Sequence, residues 1–124
     1  MLVHKTERKM VKTFVFIVLI LFCSCSESTS PDQNPEWVTK LILKYEREPV
    51  GNPLQSIWRY EYKNKIVYYV PAQCCDQFSS LFDKDGNLIC APDGGLSGRG
   101  NGGCSDFFTE RKNEKLIWKD SRSR

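Results

Sequence analysis

The apolar residues change their spacing along the chain, from a helical period to strict alternation. Between residues 35 and 48 large apolar side chains recur every three or four positions with basic residues between them, namely Trp37, Val38, Leu41, Ile42 and Tyr45. This spacing predicts an amphipathic helix of about three turns. Asn34 is a suitable capping residue, Pro35 suits the first turn, and Pro49 ends the helix.

After residue 54 the apolar period falls to two, which predicts paired antiparallel strands. Residues 54–63 alternate between a face rich in aromatic side chains and a second, more polar face, and residues 66–70 form the returning strand. Asn64 lies at the reversal and tolerates the positive φ of a tight turn. We assign the aromatic face to the core and not to sugar binding, because a helix laid on a sheet needs such a face.

A second hairpin is predicted from residues 77–82 into residues 87–91. Asp85 and Gly86 lie between these two runs and form a strong turn signal. Residues 92–103 contain six of the eight glycines, which predicts a long irregular loop.

One or two further strands are predicted at Phe107-Phe108 and at residues 116–118, around the polar residues 110–115. Together the elements predict a single α+β domain. In it an N-terminal helix packs on a small antiparallel sheet of hairpins, stabilised by disulfides and carrying the glycine-rich loop.

The N-terminal residues predict export from the cytoplasm. A polar, basic stretch precedes the uninterrupted apolar run of residues 14–22, which is too short to span a bilayer because a spanning helix needs ~20 apolar residues. This arrangement is typical of a signal peptide. Met10 also begins a well-formed signal, so translation starting there is an alternative to Met1.

Residues 22–25 resemble the lipobox of bacterial lipoproteins, in which small residues precede an invariant cysteine. We therefore expect Cys25 to be lipidated after cleavage of a lipoprotein signal peptide, residues 1–24. The remainder is expected to be a flexible tether, a single domain and a frayed tail, at residues 25–34, 35–119 and 120–124. The expected location is extracytoplasmic, anchored by lipid to a bacterial membrane, the outer membrane.

The charge distribution argues against nucleic-acid binding. The chain carries a formal net charge of +3, and the whole of this excess lies in residues 1–24. The remaining chain is neutral overall and lacks the basic excess that neutralises phosphates.

Cys74, Cys75, Cys90 and Cys104 remain in the predicted domain. An even number of cysteines in a small exported domain favours two disulfides. Of the three possible pairings, we favour the two that join Cys74 and Cys75 separately to Cys90 and Cys104. A zinc site is not expected, because the spacing does not fit and the single histidine, His4, leaves with the signal.

Two motifs resemble known ligand-binding motifs. Residues 83–87 begin like an EF-hand calcium loop but lack its later glycine and acidic ligand, which leaves a weak surface calcium site at Asp83, Asp85 and Asn87. Residues 98–103 match the glycine spacing of a dinucleotide fingerprint, but no helix is predicted after them. We instead regard the loop as a possible anion or ligand site, with candidate residues Asp93, Arg99, Asn101 and Asp106.

Catalysis is not expected, and no cofactor is predicted. Without a histidine in the mature chain, Ser-His-Asp and Cys-His mechanisms are unavailable. The leading hypothesis is a non-catalytic binding or interaction module whose partners are the membrane, through the lipid anchor, and an envelope protein or glycan. Two alternatives stay open: a small carboxylate-based hydrolase that uses Asp76, Asp93 and Asp106, and a purely structural envelope protein.

The motif residues carry a resemblance. Residues 68–78 contain Cys74-Cys75-Asp76-Gln77-Phe78, and they are followed by the glycine-rich loop and Cys104. Together these resemble a family of small, uncharacterised lipoproteins found mainly in Bacteroidota, over roughly residues 36–119. The resemblance implies export, a lipid anchor and one compact domain, and it implies no activity.

Overall fold

The computed structural model describes residues 33–74 and 76–123. Its elements in chain order are α1 (Glu36–Arg47), β1 (Ser56–Tyr62), β2 (Lys65–Val70), β3 (Ser80–Asp83), β4 (Leu88–Cys90), α2 (Phe107–Glu110) and β5 (Lys112–Lys119). The expected signal peptide, Cys25, most of the tether, Cys75 and Arg124 lie outside the described residues. Neither described helix is long and apolar enough to cross a bilayer.

The five strands form one antiparallel sheet in the order β4-β3-β2-β1-β5. The two predicted hairpins are present, as β1–β2 and β3–β4. Lys63 and Asn64 form the first reversal with φ values of 50° and 59°. Two consecutive left-handed residues give the turn whose twist matches that of the paired strands, as expected for Asn64.

Alternation along the strands divides the core between the two faces of the sheet. On one face, Tyr60, Tyr62 and Tyr69 surround the fully buried Phe107; we call this the tyrosine face. On the other face, a second buried cluster holds Ile57, Tyr68, Val70 and Val38.

The prediction of an α+β domain built on a helix packed against a sheet of hairpins is wrong. The described chain is mostly β, with a single continuous sheet and one helix longer than a turn. Val38 is the one side chain that α1 buries completely, and α1 reaches the sheet through long side chains such as Trp37 and Tyr45. The helical spacing of apolar residues predicted α1 correctly, but not how small its share of the fold is.

The region after the loop also differs from the prediction. Phe107-Phe108 lie in the one-turn helix α2, and the polar residues expected to separate two strands form the first half of β5. As an edge strand, β5 pairs with β1 alone and stays largely exposed. An exposed strand needs no apolar alternation, so its sequence carries no period-two signal.

The expected frayed tail instead contacts α1. The Arg122 guanidinium donates hydrogen bonds of 2.8–3.0 Å to the carbonyl oxygens of Tyr45, Glu46 and Glu48, and pairs with the buried Asp120 at 2.7 Å. Arg122 holds the pKa of the Asp120 carboxyl below its usual range. The guanidinium thus satisfies carbonyls that a helix C-terminus leaves without partners. At the other end Pro35 occupies the N-cap position, and no side chain, that of Asn34 included, caps the helix.

The favoured disulfide pairings are wrong, because Cys90 is bonded to Cys104. Their Cα atoms are 6.2 Å apart and both residues are buried. The glycine-rich loop returns to the end of β4, which places Cys104 beside Cys90. Cys74 is also disulfide-bonded, and its partner is neither of these two.

Trp37 joins α1 to the β3–β4 turn. Its indole N–H donates a 3.0 Å hydrogen bond to the carbonyl oxygen of Lys84, and its ring lies over Gly86. Gly86 has a φ of +87°, and a Cβ added there would lie 2.9 Å from the indole. A side chain at this position therefore meets both backbone strain and a collision.

We expect Gly86→Ala to lower the free energy of unfolding by more than the backbone strain alone, which is about 1–2 kcal/mol. Gly98→Ala is the matched control, because Gly98 also has a positive φ but no atom within 4 Å of an added Cβ. Urea denaturation of both variants measures the difference. Equal losses would contradict the contact between Trp37 and the turn.

Candidate functional site

The two ends of the glycine-rich loop are held together at Asn101. Its side-chain oxygen accepts hydrogen bonds from the backbone N–H groups of Ala91 (3.2 Å) and Gly103 (3.0 Å). Its own N–H donates to the Ala91 carbonyl at 3.0 Å, and the Cys90–Cys104 disulfide lies beside these contacts. Asn101, predicted as a ligand residue, therefore has its side-chain oxygen engaged within the loop.

The start of the loop is fixed against the segment that precedes β3. Ser79 is buried, and its hydroxyl and N–H both bond to the backbone of Asp93 at 3.1 Å. Gly100 has a φ of +68°, and a Cβ there would lie 1.9 Å from the Ala91 oxygen. This close approach explains the need for glycine at this position. The loop is thus ordered by contacts on both sides.

The backbone amides of the loop are largely used by the loop itself. The N–H groups of Gly95, Gly98 and Gly100 donate to the carbonyl oxygens of Gln77, Gly95 and Gly94 at 3.0–3.1 Å. An anion nest requires N–H groups that point toward the ligand. The expected nest of loop amides around Arg99 therefore has little support from the geometry.

The tip of the loop presents an apolar and a cationic side chain to solvent. Leu96 is 91 % exposed, the highest value among the exposed large hydrophobic residues of the described chain. Arg99 is also exposed, and its N–H donates to the Ser97 hydroxyl. Within the described residues no ion pair holds the Arg99 guanidinium. Both side chains are available to a partner.

The two acidic residues predicted as ligands of the loop, Asp93 and Asp106, lie away from its tip, and each contacts a buried tyrosine. Tyr69 donates to the Asp93 carboxylate at 3.0 Å, and Tyr62 donates to Asp106 at 2.5 Å. Lys63 pairs with Asp106 at 2.8 Å. The structure therefore brings Asp93 and Asp106 to the tyrosine face and leaves Arg99 at the loop tip.

These contacts fix the protonation of the groups involved. Burial and the hydrogen bond to Glu114 raise the pKa of Tyr60 to about 12, and burial is also the main cause of the raised pKa values of Tyr62 and Tyr69. Lys63 and Tyr62 lower the pKa of Asp106. Near neutral pH the phenols thus stay protonated and Asp106 stays ionised, which poises none of them as a general acid or base.

Arg111 is a member of the tyrosine face that was not predicted from the sequence. Its guanidinium lies 4.7 Å from the Tyr60 ring and 4.8 Å from the Phe108 ring, and donates a hydrogen bond to the Tyr60 hydroxyl. Aromatic contacts of this kind with arginine are stabilising. An arginine that follows a Phe-Phe pair by a few residues was the available signal.

The residues of the predicted weak calcium site form hydrogen bonds within the β3–β4 turn. One Asp83 carboxylate oxygen accepts the N–H groups of Asp85 and Asn87, and the other accepts the Asn87 side-chain amide, each at 2.9 Å. Lys84 pairs with Asp85 at 3.0 Å. In the described chain no three His, Cys, Asp or Glu side chains are grouped to hold a metal ion. Asp76 lies exposed on the surface before β3.

A shallow groove lies beside the return of the loop. It has a volume of about 320 Å³, and its lining residues are Tyr62, Lys63, Lys65, Val67, Asp83, Ile89, Gly103 and Cys104. Its lining combines apolar groups with two lysines and the carboxylate of Asp83. It therefore suits an amphipathic partner better than a purely polar one.

Comparison with known proteins identifies the family of the chain. The model of a domain of unknown function, DUF6970, matches residues 43–120, close to the range over which the sequence resemblance was seen. No curated protein and no solved structure matches the chain. The expectation of an uncharacterised family is confirmed.

The tyrosine pKa values predict the behaviour of the protein in alkali. The pKa is raised for all five tyrosines, Tyr45, Tyr60, Tyr62, Tyr68 and Tyr69. Folding therefore favours the protonated phenols. Their contribution to stability is complete below the unfolded pKa of about 10, and is lost as the pH rises through the folded values, about 12 for Tyr60.

We expect little tyrosinate absorbance from the native protein near pH 10, whereas the chain in denaturant is about half ionised there. Absorbance and circular dichroism followed together should show tyrosine ionisation coinciding with unfolding. Ionisation at the unfolded pKa in a chain that keeps its native dichroism would contradict the buried hydroxyl contacts.

Proposed function

The chain belongs to the DUF6970 family, and from this starting point we propose that it is an exported, lipid-anchored protein of the bacterial cell envelope that acts as a non-catalytic binding module. The proposed anchor is Cys25, in the outer membrane, and the motif residues around Cys74 suggest relatives among the Bacteroidota lipoproteins. The apolar run of residues 14–22 and the lipobox-like sequence support the anchor.

The observation that carries the binding role is the exposure of Leu96 on an ordered loop. A leucine side chain that is 91 % exposed buries almost no apolar area within the fold, so it contributes little to the stability of the domain. The loop beneath it is held by the disulfide, by Asn101 and by Ser79. Preorganised loops lose little conformational entropy when they bind, which makes them efficient recognition elements.

The alternative of a carboxylate hydrolase has less support. Asp93 and Asp106 each accept a hydrogen bond from a buried phenol, and Asp106 also pairs with Lys63. A catalytic acid needs a raised pKa, whereas the pKa of Asp106 is lowered. These carboxylates are better explained as the acceptors that buried tyrosine hydroxyls require.

Lipidation is tested on the protein produced in a bacterial host that processes lipoproteins. We expect the intact mass of the mature chain to correspond to Cys25 as an acylated first residue, and the protein to fractionate with membranes. Cys25→Ala should remain unprocessed and unacylated. A mature chain without acyl groups would overturn the proposed anchor.

The binding role is tested with a photo-crosslinking amino acid placed at position 96 in cells. Leu43 is the matched control, because it is an exposed leucine of the helix α1. We expect adducts from position 96 and not from position 43, and we expect Arg99→Ala to reduce them. Equal labelling at the two positions would contradict a binding role for the loop tip.

A further inference from the structure

Exposed apolar side chains concentrate in the β3–β4 hairpin and in the segments that flank it along the chain. Four of the eight exposed large hydrophobic residues of the described chain lie between residues 78 and 96, and they are Phe78, Leu88, Ile89 and Leu96. Leu88 and Ile89 belong to β4, which is an edge strand. The Phe78 ring lies against Gly95, beside Leu96. We call these four residues the β4-edge patch.

The opposite edge of the sheet is built differently. β5 exposes the charged side chains of Lys112, Glu114, Lys115 and Lys119, and Asn113 interrupts it with a positive φ. Charges and irregularities of this kind keep a sheet edge from associating with other molecules. The β4 edge has apolar residues where β5 has charged ones. The two edges therefore differ in what they can contact.

The start of α1 lies at the same edge. Trp37 packs on Gly86 and bonds to Lys84, and both residues belong to the turn that leads directly into Leu88. The ten residues of the expected tether, 25–34, reach at most ~36 Å when extended. A chain anchored at Cys25 therefore holds the start of α1, and the β3–β4 turn packed on it, within that distance of the membrane.

Cationic groups border the patch. Lys65 lies in the groove with Ile89 and Asp83, where the Asp83 carboxylate is engaged by hydrogen bonds of the β3–β4 turn, and Arg99 follows Leu96 at the loop tip. No ion pair holds either side chain within the described part of the chain, whereas Lys63 in the same groove pairs with Asp106. Apolar side chains next to Lys and Arg are the combination that lies at the boundary of headgroups and acyl chains. Lys65 and Arg99 are therefore the two cations at the patch that can pair with anionic phospholipid headgroups.

We propose that the β4-edge patch rests on the anionic lipid surface of the membrane, with Leu96 inserted among the headgroups and with Lys65 and Arg99 facing lipid phosphates. This inference rests on the lipid anchor proposed above and names the partner of the loop tip. The domain then has a fixed orientation, with β5 and its charges directed away from the bilayer.

The test uses the mature, acylated chain reconstituted in vesicles of phosphatidylethanolamine and phosphatidylglycerol. Leu96→Trp places an added indole in the patch, and Leu116→Trp places one on the β5 edge, where the leucine is also exposed (45 %). The parent chain supplies the background emission of its three native tryptophans. Both substitutions replace exposed side chains, so the fold is expected to be kept.

We expect the added emission of Leu96→Trp to shift to the blue and to be quenched by brominated phospholipids. The added emission of Leu116→Trp should stay unshifted and unquenched. Adding Arg99→Gln and Lys65→Gln to Leu96→Trp should reduce the blue shift in the vesicles that contain phosphatidylglycerol. The Leu96→Trp chain with Lys65 and Arg99 unchanged should give a smaller shift in vesicles of phosphatidylcholine alone.

Equal quenching at the two positions, or none at position 96 in acylated, vesicle-bound protein, would overturn the proposed lipid contact and leave the anchor intact. Adducts from position 96 with an envelope protein instead of lipid would also overturn it. A chain that carries no acyl mass fails at the earlier step, so failure of the anchor and failure of the lipid contact are distinguishable.

Discussion

The burial of Phe107 among three tyrosines is the constraint on which the rest of the structure depends. Its ring centroid lies 5.4–5.6 Å from those of Tyr60, Tyr62 and Tyr69, and no part of it is exposed. Tyrosine rings suit this core, but each hydroxyl needs a partner. Glu114 in β5, Asp106 immediately before α2 and Asp93 in the glycine-rich loop supply these partners. The acidic residues thus tie β5, the start of α2 and the loop to the central strands β1 and β2.

The same constraint shows why the acidic residues could not be assigned from sequence. Asp93 lies beside a glycine-rich run, and Asp106 follows a cysteine by two residues. Each local sequence fits a ligand-binding residue as well as it fits an acceptor for a tyrosine hydroxyl. The alternation of residues 54–63 correctly predicted the aromatic face of β1. It could not predict which carboxylates reach that face, because they approach from distant parts of the chain.

Local patterns predicted what depends on local interactions. The helix α1 and the presence of both hairpins followed from spacing and turn residues, and Asn64 adopts the expected conformation. The fold class, β5 and the disulfide pairing depend on contacts between residues far apart in sequence. Cys90 meets Cys104 because the loop closes on itself through Asn101. No pattern of residues along the chain predicts that the loop closes in this way.

The contacts of Arg122 have a consequence for the order of folding. Arg122 and the α1 carbonyl it bonds at Glu46 are 76 residues apart, and β1 likewise obtains its second neighbour only from β5. Contacts between such distant residues form late, because the intervening chain must first be brought together. An early helix and an early strand thus stay incomplete until nearly all of the domain has emerged. For a chain exported as proposed above, this delay keeps the polypeptide unfolded while it passes through a narrow translocation pore.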